Sequence, residues 1–260
     1  MAIQEVNELF SEEFDQSLDF LFEDGLSWYP WVGKNYANTG GGLLIVGESH
    51  YTCEQDEEQA HQGVERFMAN RDYTREVVGQ CPITRRWNNR LFDNIPKALV
   101  GPNNIEAEIL WKELAFYNFV QRPMEYHYKE RPSSEDFAQG WLVFLGVMKV
   151  LRPRTCVFIG VAASNSFNEV MSDLGIKHSK IKWSGRLNNI YLRSPVSIEY
   201  GGVSTRIVFI KHASSYFSWK NWHVYLQEEM PLHIAHLISI STSVTKASVD
   251  IENGVVPDGR

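Results

Sequence analysis

Residues 41–51 read Gly41-Gly42-Leu43-Leu44-Ile45-Val46-Gly47-Glu48-Ser49-His50-Tyr51. Leu43 to Val46 is a continuous apolar run, too short for a helix and entered from a glycine cluster, which predicts a strand buried on both faces. Gly47 ends the run, and a carboxylate, a hydroxyl, an imidazole and a phenol follow at once. They stand at the carboxyl end of the strand, where open α/β sheets place their ligands. Such crowding is what chemistry needs, and a polar loop after a strand can also show it.

Working outward, three more short apolar runs repeat the pattern: Leu114–Val120, Thr155–Gly160 and Arg206–Ile210. With helix-length stretches between them, they predict an α/β fold with a mainly parallel, four-stranded sheet. The second run contains Asn118, whose amide needs partners if buried. Asn118 either bonds its own backbone or points a donor–acceptor pair into a pocket. The fourth run ends at Lys211-His212-Ala213-Ser214-Ser215, so three strand ends carry polar groups that a parallel sheet gathers at one edge.

The helices read less uniformly. Val6, Phe10, Phe14, Leu18 and Leu21 recur at steps of three and four, predicting an amphipathic helix within 3–24 with an acidic outer face. Trp28–Gly33 reads as an aromatic packing turn. Residues 52–110 are hardest to read: an acidic surface patch over 54–58, a helix over 59–68, and Thr84–Arg90 with three arginines and a tryptophan. Ser133 or Ser134 caps a helix with Phe137, Trp141, Leu145, Met148 and Leu151 inward, stopped at Arg152-Pro153. A helix over 162–173 and another from Trp219 past Glu229 follow. Ser, Thr and Val dominate from Ser239, predicting a loose tail over 239–260 behind a single domain, 1–238, on which an acidic segment, 1–27, packs.

A chain of 260 residues, 43% hydrophobic and 13% aromatic, suits one full α/β core. No apolar stretch reaches the ~18 residues of a membrane span, and the basic start of a signal peptide is missing. Three irregularly spaced cysteines (Cys53, Cys81, Cys156) fit neither a disulfide framework nor a metal site, so an intracellular, cytoplasmic protein is expected. With no Gly-x-Gly-x-x-Gly after any strand, no nicotinamide or flavin cofactor is expected, nor any metal; His233 and His236 lack a third ligand.

The net charge of −7 is unevenly spread. Residues 1–33 hold acids and no Lys or Arg, whereas residues 174–198 hold Lys177, Lys180, Lys182, Arg186 and Arg193 and no acid. Arg206, Lys211 and Lys220 extend this basic region. It is either the footprint of a phosphate backbone or a solvated face of ordinary cations.

The three strand ends, taken in order, resemble the uracil-DNA glycosylase superfamily over residues 28–230. In that family a first motif follows strand one, a strand-borne Asn reads the base edge, and a late His-Pro-Ser loop acts at the leaving base. The counterparts are Gly47-Glu48-Ser49-His50-Tyr51, Tyr117-Asn118 and His212-Ala213-Ser214. Glu48 stands where the Gly-Glu-Ala-Pro-Gly branch keeps a carboxylate, although that branch's cluster cysteines are missing. The first motif lacks the Asp and the proline of other branches, and Ala213 replaces the late proline. These departures point away from plain uracil and towards modified or damaged pyrimidines, including hypermodified cytosines of phage DNA in bacterial or archaeal defence.

The resemblance implies a three-layer α/β/α fold and a monomeric, monofunctional enzyme that flips a nucleotide of DNA and leaves an abasic site. It assigns catalysis to Glu48 and His212, and the base pocket to Gly47, Ser49, His50, Tyr51, Phe116 (or Phe119) and Asn118. Phosphate contacts fall to Ser214, Ser215, Lys211, Arg186 and Lys182. A uracil-excising repair enzyme, an inactive DNA-binding module of the same fold, and an esterase-type hydrolase using Glu48 and His50 are the alternatives.

Overall fold

The computed structural model describes residues 3–36, 42–52, 57–125, 128–187 and 190–252. Its strands are β1 (Trp31–Val32), β2 (Leu43–Gly47), β3 (Tyr51–Thr52), β4 (Leu114–Asn118), β5 (Met124–Glu125), β6 (Thr155–Ile159), β7 (Lys177–His178), β8 (Trp183–Leu187), β9 (Ile190–Arg193), β10 (Val196–Tyr200) and β11 (Val203–Ile210). Seven of them form one sheet in the order β1-β4-β2-β6-β11-β10-β7. The pairings β4–β2, β2–β6 and β6–β11 are parallel. Antiparallel partners flank them, β1 on one side and β10 then β7 on the other. The fold is therefore α/β, with a mainly parallel mixed sheet larger than four strands. The extra strands come partly from Gly201-Gly202, whose φ angles of 56° and 74° make the tight β10–β11 hairpin.

Successive residues of the inner strands feed two cores. Leu44 and Val46 join one, with Trp141 and Phe144 of helix Ser134–Leu151 and Phe167 of helix Ser164–Asp173. Leu43 and Ile45 join the other, with Phe92 of helix Arg90–Val100, Trp111 of helix Ala107–Glu113 and Trp222 of helix Trp219–Glu229. Helix Ser134–Leu151 opens on a reciprocal cap: Ser133 Oγ accepts from the Asp136 amide at 3.2 Å, and Asp136 Oδ2 accepts from the Ser133 amide at 2.8 Å.

Two expectations are corrected. The N-terminal segment is not one helix: it is helical at Ile3–Asn7 and Asp15–Leu18, with a 3-10 turn over Asp19–Phe22. Between them Phe10 bridges Gly33, the Ser11 amide donating to the Val32 carbonyl at 2.8 Å. This link to β1 competes with helical bonding, and the acids face Arg75 and Arg71 rather than only water. The loose tail is also revised, because helix Pro231–Glu252 continues through it. Ile234, Leu237, Ile238 and Ser241 recur at helical spacing and keep that helix on the second core. Residues 253–260, 53–56 and the glycine run before Gly42 lie outside the described residues.

Candidate active site

The chain runs from β2 to its neighbour β4 and later crosses to β6 on the other side of β2. The order reverses there, so a crevice opens at the carboxyl ends of β2 and β6. A recess lies at that point, lined by Gly47, Glu48, Phe119, Phe137, Phe158, Gly160 and Ala163. Its volume is about 10 Å³, room for about one water.

Glu48 is the only ionisable residue of that lining. Burial raises its carboxyl above the ordinary value of 4.5, an effect that the nearby Arg131 guanidinium opposes. Gly160, at φ 132°, lies beneath it: a Cβ there would approach Glu48 Oε2 to 3.1 Å. Gly47 has a parallel role, since a side chain on it would overlap the Asn118 amide oxygen. Asn118 is buried, and its side-chain amide makes no hydrogen bond among the described residues. Ser49 Oγ is likewise buried without a hydrogen-bond partner among them. An unpaired buried polar atom is costly, and Ser49 Oγ is one beside this strand end.

His212 follows β11. Its Nδ1 lies 2.9 Å from Ser214 Oγ. Where Ser214 donates, the ring proton sits on Nε2, which has no protein partner among the described residues. Burial first, then Arg131, hold the imidazole below its usual value of 6.5, so it is neutral at pH 7. Arg131 thus acts on both Glu48 and His212, and its Nη1 also donates to Tyr51 Oη at 3.1 Å. The turn before Arg131 is braced by Arg122, which donates to Glu130 at 2.6 Å and twice to Asp136 at 2.7 Å.

The loop after His212 is tied down at several points. Asn94 Nδ2 donates to the Ala213 carbonyl at 2.9 Å, Arg90 reaches Ser215 Oγ at 3.4 Å, and Lys211 Nζ donates to the Tyr216 carbonyl at 3.0 Å. Tyr216 itself is 96% exposed and held at φ 57°. A large aromatic ring in water, on a backbone conformation that side chains avoid, is an unusual combination.

Several expected site residues lie elsewhere. His50 is buried between Trp28 and Tyr73, both rings at 4.9 Å, and its Nε2 meets Thr74 Oγ1 at 3.0 Å. Burial pushes it down to about 3, making it a neutral packing residue rather than a pocket wall. Phe116 packs with Phe92 and Trp111 in the second core, and Phe119 lines the recess in its place. A strand buried on both faces does not show from sequence which of its phenylalanines turns which way. Arg186 lies in the separate β8–β9 hairpin and Lys182 just before it, and neither lines the Glu48 recess. Arg131, Gly160 and Tyr216 were not singled out from sequence. Gly160, closing an apolar strand as Gly47 does, carried the one usable signal.

No protein-family model matches this chain, and no curated protein matches it either.

Proposed function

We propose that the chain is a monofunctional DNA glycosylase that extrudes a nucleotide and hydrolyses its N-glycosidic bond, leaving an abasic site. The observation that carries this reading is the placing of Glu48, Asn118 and His212, distant in the chain, at or just beyond the carboxyl ends of β2, β4 and β11, with Glu48 lining the recess beside β2. They belong to strand ends at the sheet edge where the strand order reverses.

Breaking the bond develops positive charge on the sugar and negative charge on the departing base. Glu48 supplies the anion for the sugar and orients a water, for which the recess has room. His212 donates from Nε2 to the base as its charge grows. Asn118 offers its unpaired amide to the base edge, with Ser49 beside it, and Phe119 and Tyr51 wall the ring. Ser214, Ser215 and Lys211 hold the flanking phosphates. Tyr216 fills the stack that the extruded nucleotide vacates. The departures of the first motif from plain uracil enzymes favour a modified or damaged pyrimidine, hypermodified phage cytosine included, over uracil.

The test is base release across a panel: uracil, oxidised pyrimidines, and phage DNA with and without glucosylated hydroxymethylcytosine, with the freed base identified by mass spectrometry. Release that falls about 10²–10³-fold in Glu48→Gln is expected. The small volume of the recess, about 10 Å³ among Phe119, Phe137 and Phe158, favours a second reading, a DNA-binding module without catalysis. DNA binding with no base released from any substrate would select it.

A further inference from the structure

The β8–β9 hairpin is not part of the main sheet, and it concentrates features that the recess does not use. Trp183 is 64% exposed and Tyr191 53% exposed, their rings 5.4 Å apart. Each has a guanidinium over it: Arg193 is 3.8 Å from the Trp183 ring centre and Arg186 4.2 Å from that of Tyr191. Lys180, Lys182, Arg186 and Arg193 have no carboxylate partner among the described residues, whereas Lys177 pairs with Glu199 at 2.7 Å. Buried aromatics make a core; exposed ones interleaved with unpaired cations make a surface for flat rings joined by anions.

The hairpin is also anchored beside the recess. Arg193 Nε donates to Ser164 Oγ at 3.1 Å, one residue after Ala163, which lines the recess. Leu187, Ile190 and Leu192 pack against the second core, fixing the end of the hairpin next to its turn and leaving the aromatic pair in water. Duplex DNA hides its base faces inside the stack, so rings of this kind gain contacts only from an unpaired strand.

We propose that this hairpin is a holding arm for single-stranded DNA, stacking bases on Trp183 and Tyr191 while Lys180, Lys182 and Arg186 take the phosphates. It rests on the reading that the recess takes DNA, and it makes unpaired DNA the preferred substrate form.

The experiment is fluorescence anisotropy of the full chain with labelled oligo-dT, which contains no base to excise, beside a duplex and oligo-U. The parent should bind oligo-dT more tightly than the duplex. Trp183→Ala and Tyr191→Ala should each weaken oligo-dT binding about tenfold or more and leave duplex binding near the parent's. Trp183→Phe should restore much of the loss. Lys182→Gln should reduce the salt slope by about 0.7. Because both rings are exposed, melting should not change. Equal oligo-dT affinity in the parent and the two alanine variants, or no preference for oligo-dT over the duplex, overturns the proposal. Tighter binding to oligo-U overturns the choice of DNA. An arm that binds oligo-dT in a protein that releases no base leaves this inference standing and removes the glycosylase reading. Base release at equal rates from both strand forms does the reverse.

Discussion

The amide oxygen of Asn118 fills the space that a side chain on Gly47 would need. The two residues pair across parallel strands β2 and β4, so the turn after β2 and the amide proposed to read the base are set by one register. Gly47→Ala meets the Asn118 amide rather than backbone, with Phe116 Cζ also at 3.2 Å, so Asn118 moves at a modest cost to the fold. Base release is expected to fall about a hundredfold, the order of loss from an ångström-scale misplacement. Thermal melting should shift by little. Kinetics and melting curves on one preparation separate the two effects.

Glu48→Gln should cost about 10²–10³ in rate. Its effect on stability has the opposite sign. Burial raises the Glu48 carboxyl in the folded chain, so the group favours folding below pH 4.5 and that contribution is lost as pH rises through the raised value. The glutamine variant should therefore melt above the parent at pH 7 and together with it below pH 4.5. A glutamine variant that melts lower at pH 7 would contradict the assignment.

The pH–rate profile tests His212. Its imidazole is held below 6.5 and donates while neutral, so kcat/KM should show no inflection near 6.5. The acid limb should come from Glu48, above 4.5. An inflection near 6.5 that vanishes in His212→Asn would show His212 working as a cation instead.

His50 governs acid stability. It is pushed down to about 3 in the fold, against 6.5 when exposed. The unfolded chain binds the extra proton first, so stability conferred above pH 6.5 is lost as pH falls towards 3, by as much as ~5 kcal/mol over the whole window. His50→Leu also leaves buried Thr74 without its ring partner, a cost of about 1–3 kcal/mol at pH 7. Urea melts at several pH values should show that deficit shrinking on acidification.

Tyr216 separates grip from fold. Tyr216→Gly removes an exposed ring and suits φ 57° better, so melting should hold or rise by up to about 1 kcal/mol. Base release from duplex DNA should drop at least tenfold in kcat/KM if the ring holds the gap open, with a smaller loss on single strands.

Much of this fold is written in residue pattern, and its gaps have physical causes. Strands β2, β4, β6 and β11 carry unbroken apolar runs because helices cover both faces. Helix Ser134–Leu151 announces itself through its cap and spacing. By contrast β8 and β9 carry mostly partly or fully exposed side chains, so no hydrophobic period marks them. The Gly201-Gly202 pair marks the β10–β11 hairpin in the sequence. At the candidate site, the positions of Glu48, Asn118 and His212 were legible because each lies at or just beyond the end of an apolar run. Arg131 was not: it follows no apolar run, and only folding brings it near two other residues. His50 misled because burial by Trp28 and Tyr73 is a three-body fact that its neighbours in sequence do not reveal.

The sheet's outermost strands, β1 and β7, are two residues each. Such stubs expose too few amide and carbonyl groups to template a neighbouring chain, so the long inner strands are shielded from amyloid-like stacking. Crowding at high concentration should accordingly leave this protein dispersed, unless it is β10, with Tyr200 at its exposed end, that is stripped of its short guard.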